Sequence, residues 1–220
     1  MRRATRIYTE PNDVAEKLAE FDIGLDACLH VVAKVVAARA EAVADDPLGT
    51  AGLFAYIYGT RNVRGLFRSK GWTTHRPENV EAVRDGAGRL IVYQNVDLAG
   101  DRAHSPQAPS GKGNGAGRLI DAAYGLLFEE EELPEMAPAY VGETKENWYF
   151  CVSCNLDENG ELVVGAELSL ALPLQGDNFN GFSDRIMIRP HGPWRSGGVR
   201  DDVPTDDAAE FEPKISRKQQ

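Results

Sequence analysis

Arg61, Arg64 and Arg68 stand three and four residues apart, which places them on one face of any helix that contains them. Lys70 follows just beyond, and the window 61–76 (RNVRGLFRSKGWTTHR) holds five Lys or Arg residues and no acidic one. The chemistry open to such a face is anion binding. A guanidinium takes phosphate oxygens two at a time and stacks on bases, and Phe67 and Trp72 are nearby aromatic surfaces for stacking. The competing reading is a solvated face that pairs with the acidic stretch 129–135, since surface charge runs usually contribute little.

A second anion-binding pattern is Ser110–Arg118 (SGKGNGAGR). Glycines let successive backbone N–H groups close on an anion, and a helix opening at Asn114 or Gly115 would turn its positive end toward phosphate. Lys112 and Arg118 add charge. The spelling is not that of a P-loop, and no strand runs directly into it as the dinucleotide fingerprint requires. A plain flexible linker is the alternative.

Hydrolytic chemistry has a thinner basis. Asp97 or Asp101 with Glu143-Thr144-Lys145 loosely echoes a metal-dependent nuclease, in which carboxylates hold Mg²⁺ and the lysine steadies the attacking water. Glu167 beside Cys151 is another pairing, for which an exposed Glu on a half-buried sheet is the simpler expectation. Cys151 and Cys154 form a C-x-x-C without a second pair at zinc spacing, and they lie in a strand rather than at a helix N-terminus. They read as small apolar strand residues. His30, His75, His104 and His191 show no ligand spacing. No metal, cofactor or catalytic residue is therefore expected.

The chain of 220 residues is long enough for one sizeable core, and 42% hydrophobic with 26% charged residues is ordinary globular composition. No apolar run approaches the length of a membrane helix. Charges throughout the first thirty residues leave no room for a signal-peptide core, so the cytoplasm is the expected compartment. The net charge of −10 argues against a polyanion partner as an average, yet the acid is segregated into Glu129–Glu132 with Glu135 and a tail rich in Asp. A polyanion would meet these regions separately.

The elements that must carry these residues can be read from periodicity. A capping-box start at Asn12 or Asp13, with Glu16 three beyond Asp13, precedes an apolar stripe from Val14 to Val43, which Gly24 bends or divides. Asp46-Pro47 opens a second helix that runs to about Ser69, with Gly71 as its stop. Pro77 begins a short third helix that ends at Asp85-Gly86. Arg89–Asp97 reads as a strand, residues 98–115 as a polar loop, and Ala116–Leu133 as a helix. Asn147–Leu156 and Glu161–Leu172 form a hairpin around Glu158-Asn159-Gly160, with Gly160 left-handed. Only the register that pairs Trp148 with Leu170, Phe150 with Leu168, Val152 with Ala166 and Cys154 with Val164 makes one face wholly apolar. Asp184–Arg189 is a further strand. The expected fold is α+β: N-terminal helices packed on a small, mostly antiparallel sheet in one domain, 1–190, followed by a flexible acidic tail, 191–220.

Within Leu90–Tyr124, the order Tyr93, Ala103-His104-Ser105, Gln107, Lys112-Gly113-Asn114-Gly115, Arg118-Leu119-Ile120-Asp121 and Tyr124 resembles a stretch of the CRISPR-RNA-binding backbone subunit of type I-F CRISPR surveillance complexes. Tyr56–Lys70 (YIYGTRNVRGLFRSK) is similar to that family's helix ending in an aromatic and Arg-rich run. The resemblance implies an RRM-like core and a non-enzymatic subunit of a ribonucleoprotein or defence complex, with RNA and neighbouring protein subunits as partners. It implies that Arg61, Arg64, Arg68, Lys70, Lys112 and Arg118 track a sugar–phosphate backbone. Phe67 or Trp72 would offer the stacking platform, and His104 and Asn114 further contacts. The alternatives are an acidic protein-interaction or regulatory domain that binds no nucleic acid, and a metal-dependent nuclease using Asp97, Glu143 and Lys145.

Overall fold

A computed structural model describes residues 5–109, 146–173 and 178–195. Lys112, Asn114, Arg118, the expected helix 116–133, the acidic stretch 129–135, Glu143 and Lys145 lie outside these residues, as does the chain beyond Arg195. In order, the elements are β1 (Arg6–Tyr8), α1 (Pro11–Ala19), α2 (Leu25–Ala40), α3 (Thr50–Arg68), β2 (Thr73–His75), a 3₁₀ turn (Pro77–Asn79), β3 (Ala82–Arg84), β4 (Arg89–Asn95), β5 (Glu146–Leu156), β6 (Leu162–Ala171) and β7 (Phe182–Pro193).

The strands form one seven-stranded sheet in the order β1-β7-β6-β5-β4-β3-β2. β1 runs parallel to β7 and β4 parallel to β5, while the other neighbours are antiparallel. The expectation of a small, mostly antiparallel sheet is thereby corrected: the sheet is large and mixed. Two features hid this. The strands β1, β2 and β3 have three residues each, too few to display a period of two. The β4–β5 pairing joins segments separated by residues 96–145, and a parallel pair leaves no local turn signature. The 3₁₀ turn and β3 occupy the region expected to be a third helix.

The helices lie together on one face of the sheet. Pro11 starts α1 with a φ already suited to a helix. Gly24 is the N-cap of α2, so the apolar stripe is divided into two helices rather than bent. α3 begins at Thr50 rather than at Pro47, after Gly49 in the left-handed region, φ +88°. At its other end Gly71, φ +84°, turns the chain so that the Trp72 amide donates to the Phe67 carbonyl. Val14, Leu18, Phe21, Val32, Val35 and Phe67 pack with Ile91, Tyr93, Phe150 and Leu168 of the sheet.

The hairpin has the expected register, Trp148 opposite Leu170 through Cys154 opposite Val164, and Gly160 has a φ of +77°. Its polar face departs from expectation. Tyr149, Cys151, Ser153, Glu167 and Ser169 are all buried, because the irregular segment after β4 and Phe179–Phe182 cover them. Glu167, expected at the surface, is 0% exposed. Its carboxylate accepts from Arg185 Nε (2.8 Å) and Nη2 (2.6 Å), from Ser169 Oγ (2.7 Å) and from the Gly100 amide (2.9 Å).

Candidate functional site

The exposed side of α3 carries two kinds of chemistry in sequence along its length. Leu53, Tyr56 and Ile57 are exposed apolar or aromatic residues on its first half. Arg61, Arg64 and Arg68 follow on the same side at three- and four-residue spacing. Together with Thr60, Gly65 and Glu81, the residues Tyr56, Ile57, Arg61, Arg64 and Arg68 line an open groove of about 560 Å³. The opposite side of α3 places Ala55, Gly59, Val63 and Phe67 in the core. Gly59 is where α3 touches β4. A Cβ there would stand 2.2 Å from Tyr93 Cζ, so only glycine lets the helix lie flat on the ring. The Tyr93 hydroxyl donates to Asn95 Oδ1 (2.7 Å), and Asn95 Nδ2 donates to the Gly52 carbonyl (2.9 Å), tying the helix start to the sheet.

Within the groove the arginines are not equivalent. The Arg61 guanidinium sits 4.7 Å from the Tyr58 ring centroid, and neither Arg61 nor Arg68, both exposed, has an ion-pair partner among the described residues. Arg64 is half-buried and paired with Glu81. Glu81 Oε2 also accepts from Arg76 Nε at 3.0 Å, so one carboxylate serves two guanidinium groups. Burial alone pushes the Glu81 carboxyl up, but hydrogen bonds from Arg76 and Arg64, and their charges, hold it below its ordinary value. Two polar atoms in the groove wall, Thr60 Oγ1 and Arg64 Nε, are buried and have no hydrogen-bond partner among the described residues.

The other residues singled out in the sequence lie elsewhere. Phe67 is fully buried and Trp72 is 7% exposed. They pack edge to face on each other, 4.9 Å between centroids, and Trp72 lies 6.4 Å from Phe21. A buried ring has no face to offer a base; the aromatic groups that do reach the arginines are Tyr56, in the groove, and Tyr58, beneath Arg61. Lys70 lies past the end of α3, 3.7 Å from Asp22. His104 is on the far face of the sheet, its Nε2 3.0 Å from Asp97 Oδ2. Asp97 Oδ1 accepts from the amides of Leu98 and Gln107, and Asp101 Oδ1 from those of Ala103 and His104. Burial pushes the Cys28 thiol up to about 12 and that of Cys154 up to about 11, so both stay protonated near neutral pH. Tyr56, Thr60 and Glu81 were missed because each is an ordinary residue type; only their position around the arginine row distinguishes them.

No family model, curated protein or solved structure matches the chain. Among the described residues, no helix is long and apolar enough to cross a membrane.

Proposed function

We propose that the protein is a non-enzymatic RNA-binding subunit of a larger assembly, and that it grips the sugar–phosphate backbone along the α3 groove. The observation that carries this reading is the row of Arg61, Arg64 and Arg68 along one open groove. Two of the three are exposed and without an ion-pair partner among the described residues, so phosphate contact there breaks no salt bridge. The resemblance of Tyr56–Lys70 to a CRISPR-RNA-binding backbone subunit falls on this same helix and supports RNA as the polyanion. Because α3 is anchored to the sheet through Gly59, Tyr93 and Asn95, the face that carries the arginines has a set orientation. Binding of this type is tolerant of sequence and weakens steeply with salt.

The test is fluorescence anisotropy with a labelled single-stranded RNA over a series of salt concentrations. The expected result is retention at low salt, a steep fall as salt rises, and loss in the double variant Arg61→Glu/Arg68→Glu. Both side chains are exposed, so this variant should keep its melting temperature. Binding that ignores the double substitution removes the reading. A second reading, a protein-interaction domain that binds no nucleic acid, has its own support in the exposed Leu48, Leu53, Tyr56 and Ile57. It predicts no RNA retention at any salt.

A further inference from the structure

An acid within a phosphate-binding groove is costly unless it does something a phosphate does not oppose, and Glu81 is such an acid. It sits on the segment leading into β3 and lines the groove with Thr60, Arg61, Arg64 and Arg68. Arg64 and Arg76 neutralise it, both through Oε2. Once a phosphate draws Arg64 away, Arg76 still compensates the charge, and the carboxylate has room for a hydroxyl donor. Close by in the same wall, the Thr60 hydroxyl is buried without a partner among the described residues. An arginine row flanked by a carboxylate and an unused hydroxyl suits one kind of strand: phosphates at regular spacing, each beside a hydroxyl that both donates and accepts. Ribose supplies that hydroxyl at its 2′ position and deoxyribose does not.

Resting on the RNA-backbone reading above, we propose that Glu81 and Thr60 form a ribose-reading pair that makes the α3 groove select RNA over DNA. Glu81 accepts from the 2′-hydroxyl and Thr60 donates to it. Against a strand lacking this group, Glu81 repels the nearby phosphates and nothing is returned for it. That repulsion is common to both strands, so discrimination rests on the hydrogen bond that only the ribose hydroxyl returns. Arg76 acts as a positioning residue here, because it holds the carboxylate at the groove edge without reading the sugar.

Anisotropy with matched single strands of RNA, DNA and 2′-O-methyl RNA tests the pair. The wild-type protein should bind RNA about tenfold more tightly than either of the others, the scale of one charge-assisted hydrogen bond. Glu81→Gln keeps an acceptor and removes the repulsion, so affinity for all three strands should rise while much of the RNA preference stays. Glu81→Ala removes both, so DNA should approach RNA in affinity. Thr60→Val, nearly the same shape, should lower RNA affinity and leave DNA unchanged, with melting temperatures showing that each variant folds. Equal binding of RNA and DNA by the wild type, or an unchanged ratio in Glu81→Ala, overturns the ribose-reading pair but leaves backbone binding intact. Failure of every strand to bind removes the functional reading itself.

Discussion

Two arginine–glutamate pairs stand on opposite faces of the same sheet, and their surroundings give them different work. Arg185 and Glu167 are sealed under the segment after β4, with side chains 4% and 0% exposed, and are joined by two parallel hydrogen bonds. Every further contact around them is also internal: Ser169, the Gly100 amide and the Asp101 carbonyl. Arg64 and Glu81 lie at the edge of an open groove, with side chains 18% and 33% exposed, and they share their carboxylate with Arg76. A sealed, bidentate pair with satisfied neighbours fixes structure. An open pair that leaves Arg64 Nε unpartnered among the described residues, with a spare cation at hand, can exchange partners with a ligand. The charges of the buried pair hold this fold, whereas those at the α3 groove remain open to solvent.

The sharpest way to break the comparison is to remove one arginine from each pair. Arg185→Ala should cost about 3–5 kcal/mol of stability, because it strands the Glu167 charge away from water. Arg64→Ala should cost about 1 kcal/mol or less, since its partner keeps Arg76 and reaches solvent. Urea unfolding of both variants measures the difference. Equal losses would mean that the α3 pair is as structural as the buried one.

Glycine substitutions make the same contrast at lower amplitude. A Cβ at Gly165 would stand 1.8 Å from the Ala99 carbonyl oxygen, where the segment after β4 presses on β6 beside the buried pair. Backbone cannot yield there as a side chain can, so Gly165→Ala should destabilise by at least about 1–3 kcal/mol. A Cβ at Gly65, on the groove side of α3, would meet nothing within 4 Å. Gly65→Ala should therefore stabilise by about 0.5–1 kcal/mol through helix propensity alone. Thermal melts of the two variants should move in opposite directions.

How far these regions could be read in advance follows from the range over which each signal acts. The hairpin register was legible residue by residue, because alternation and one left-handed glycine are local and self-consistent. The helical row of Arg61, Arg64 and Arg68 was legible for the same reason. The burial of Glu167 was not. Alternation shows which residues share a face but not what covers it, and the cover is a segment without periodicity, held through Ser153, Glu167 and Arg185. Phe67 and Trp72 misled in the same way. Their proximity to the basic run in sequence suggested stacking surfaces, but helical phase sends Phe67 to the core and the Gly71 turn folds Trp72 against it. Glu81 was invisible as a groove residue, since it meets Arg64 only once α3 packs against β2 and β3.

The finest test uses pH. Burial pushes the Glu81 carboxyl up, yet the hydrogen bonds and charges of Arg76 and Arg64 prevail, so its folded-state value lies below the ordinary 4.5. A group with a depressed folded value binds protons less readily when folded than when unfolded, so its contribution to stability is fully present above about 4.5. That contribution is lost as pH falls through the folded value. The stability difference between the wild type and Glu81→Gln should therefore be constant from neutrality down to about pH 5 and then shrink on further acidification. With a third of the side chain exposed, the effect should be the smallest of those considered, visible as a small convergence of the two unfolding midpoints at acid pH. A difference that persists undiminished well below 4.5 would show that the carboxylate's charge is not what joins Glu81 to its two arginines.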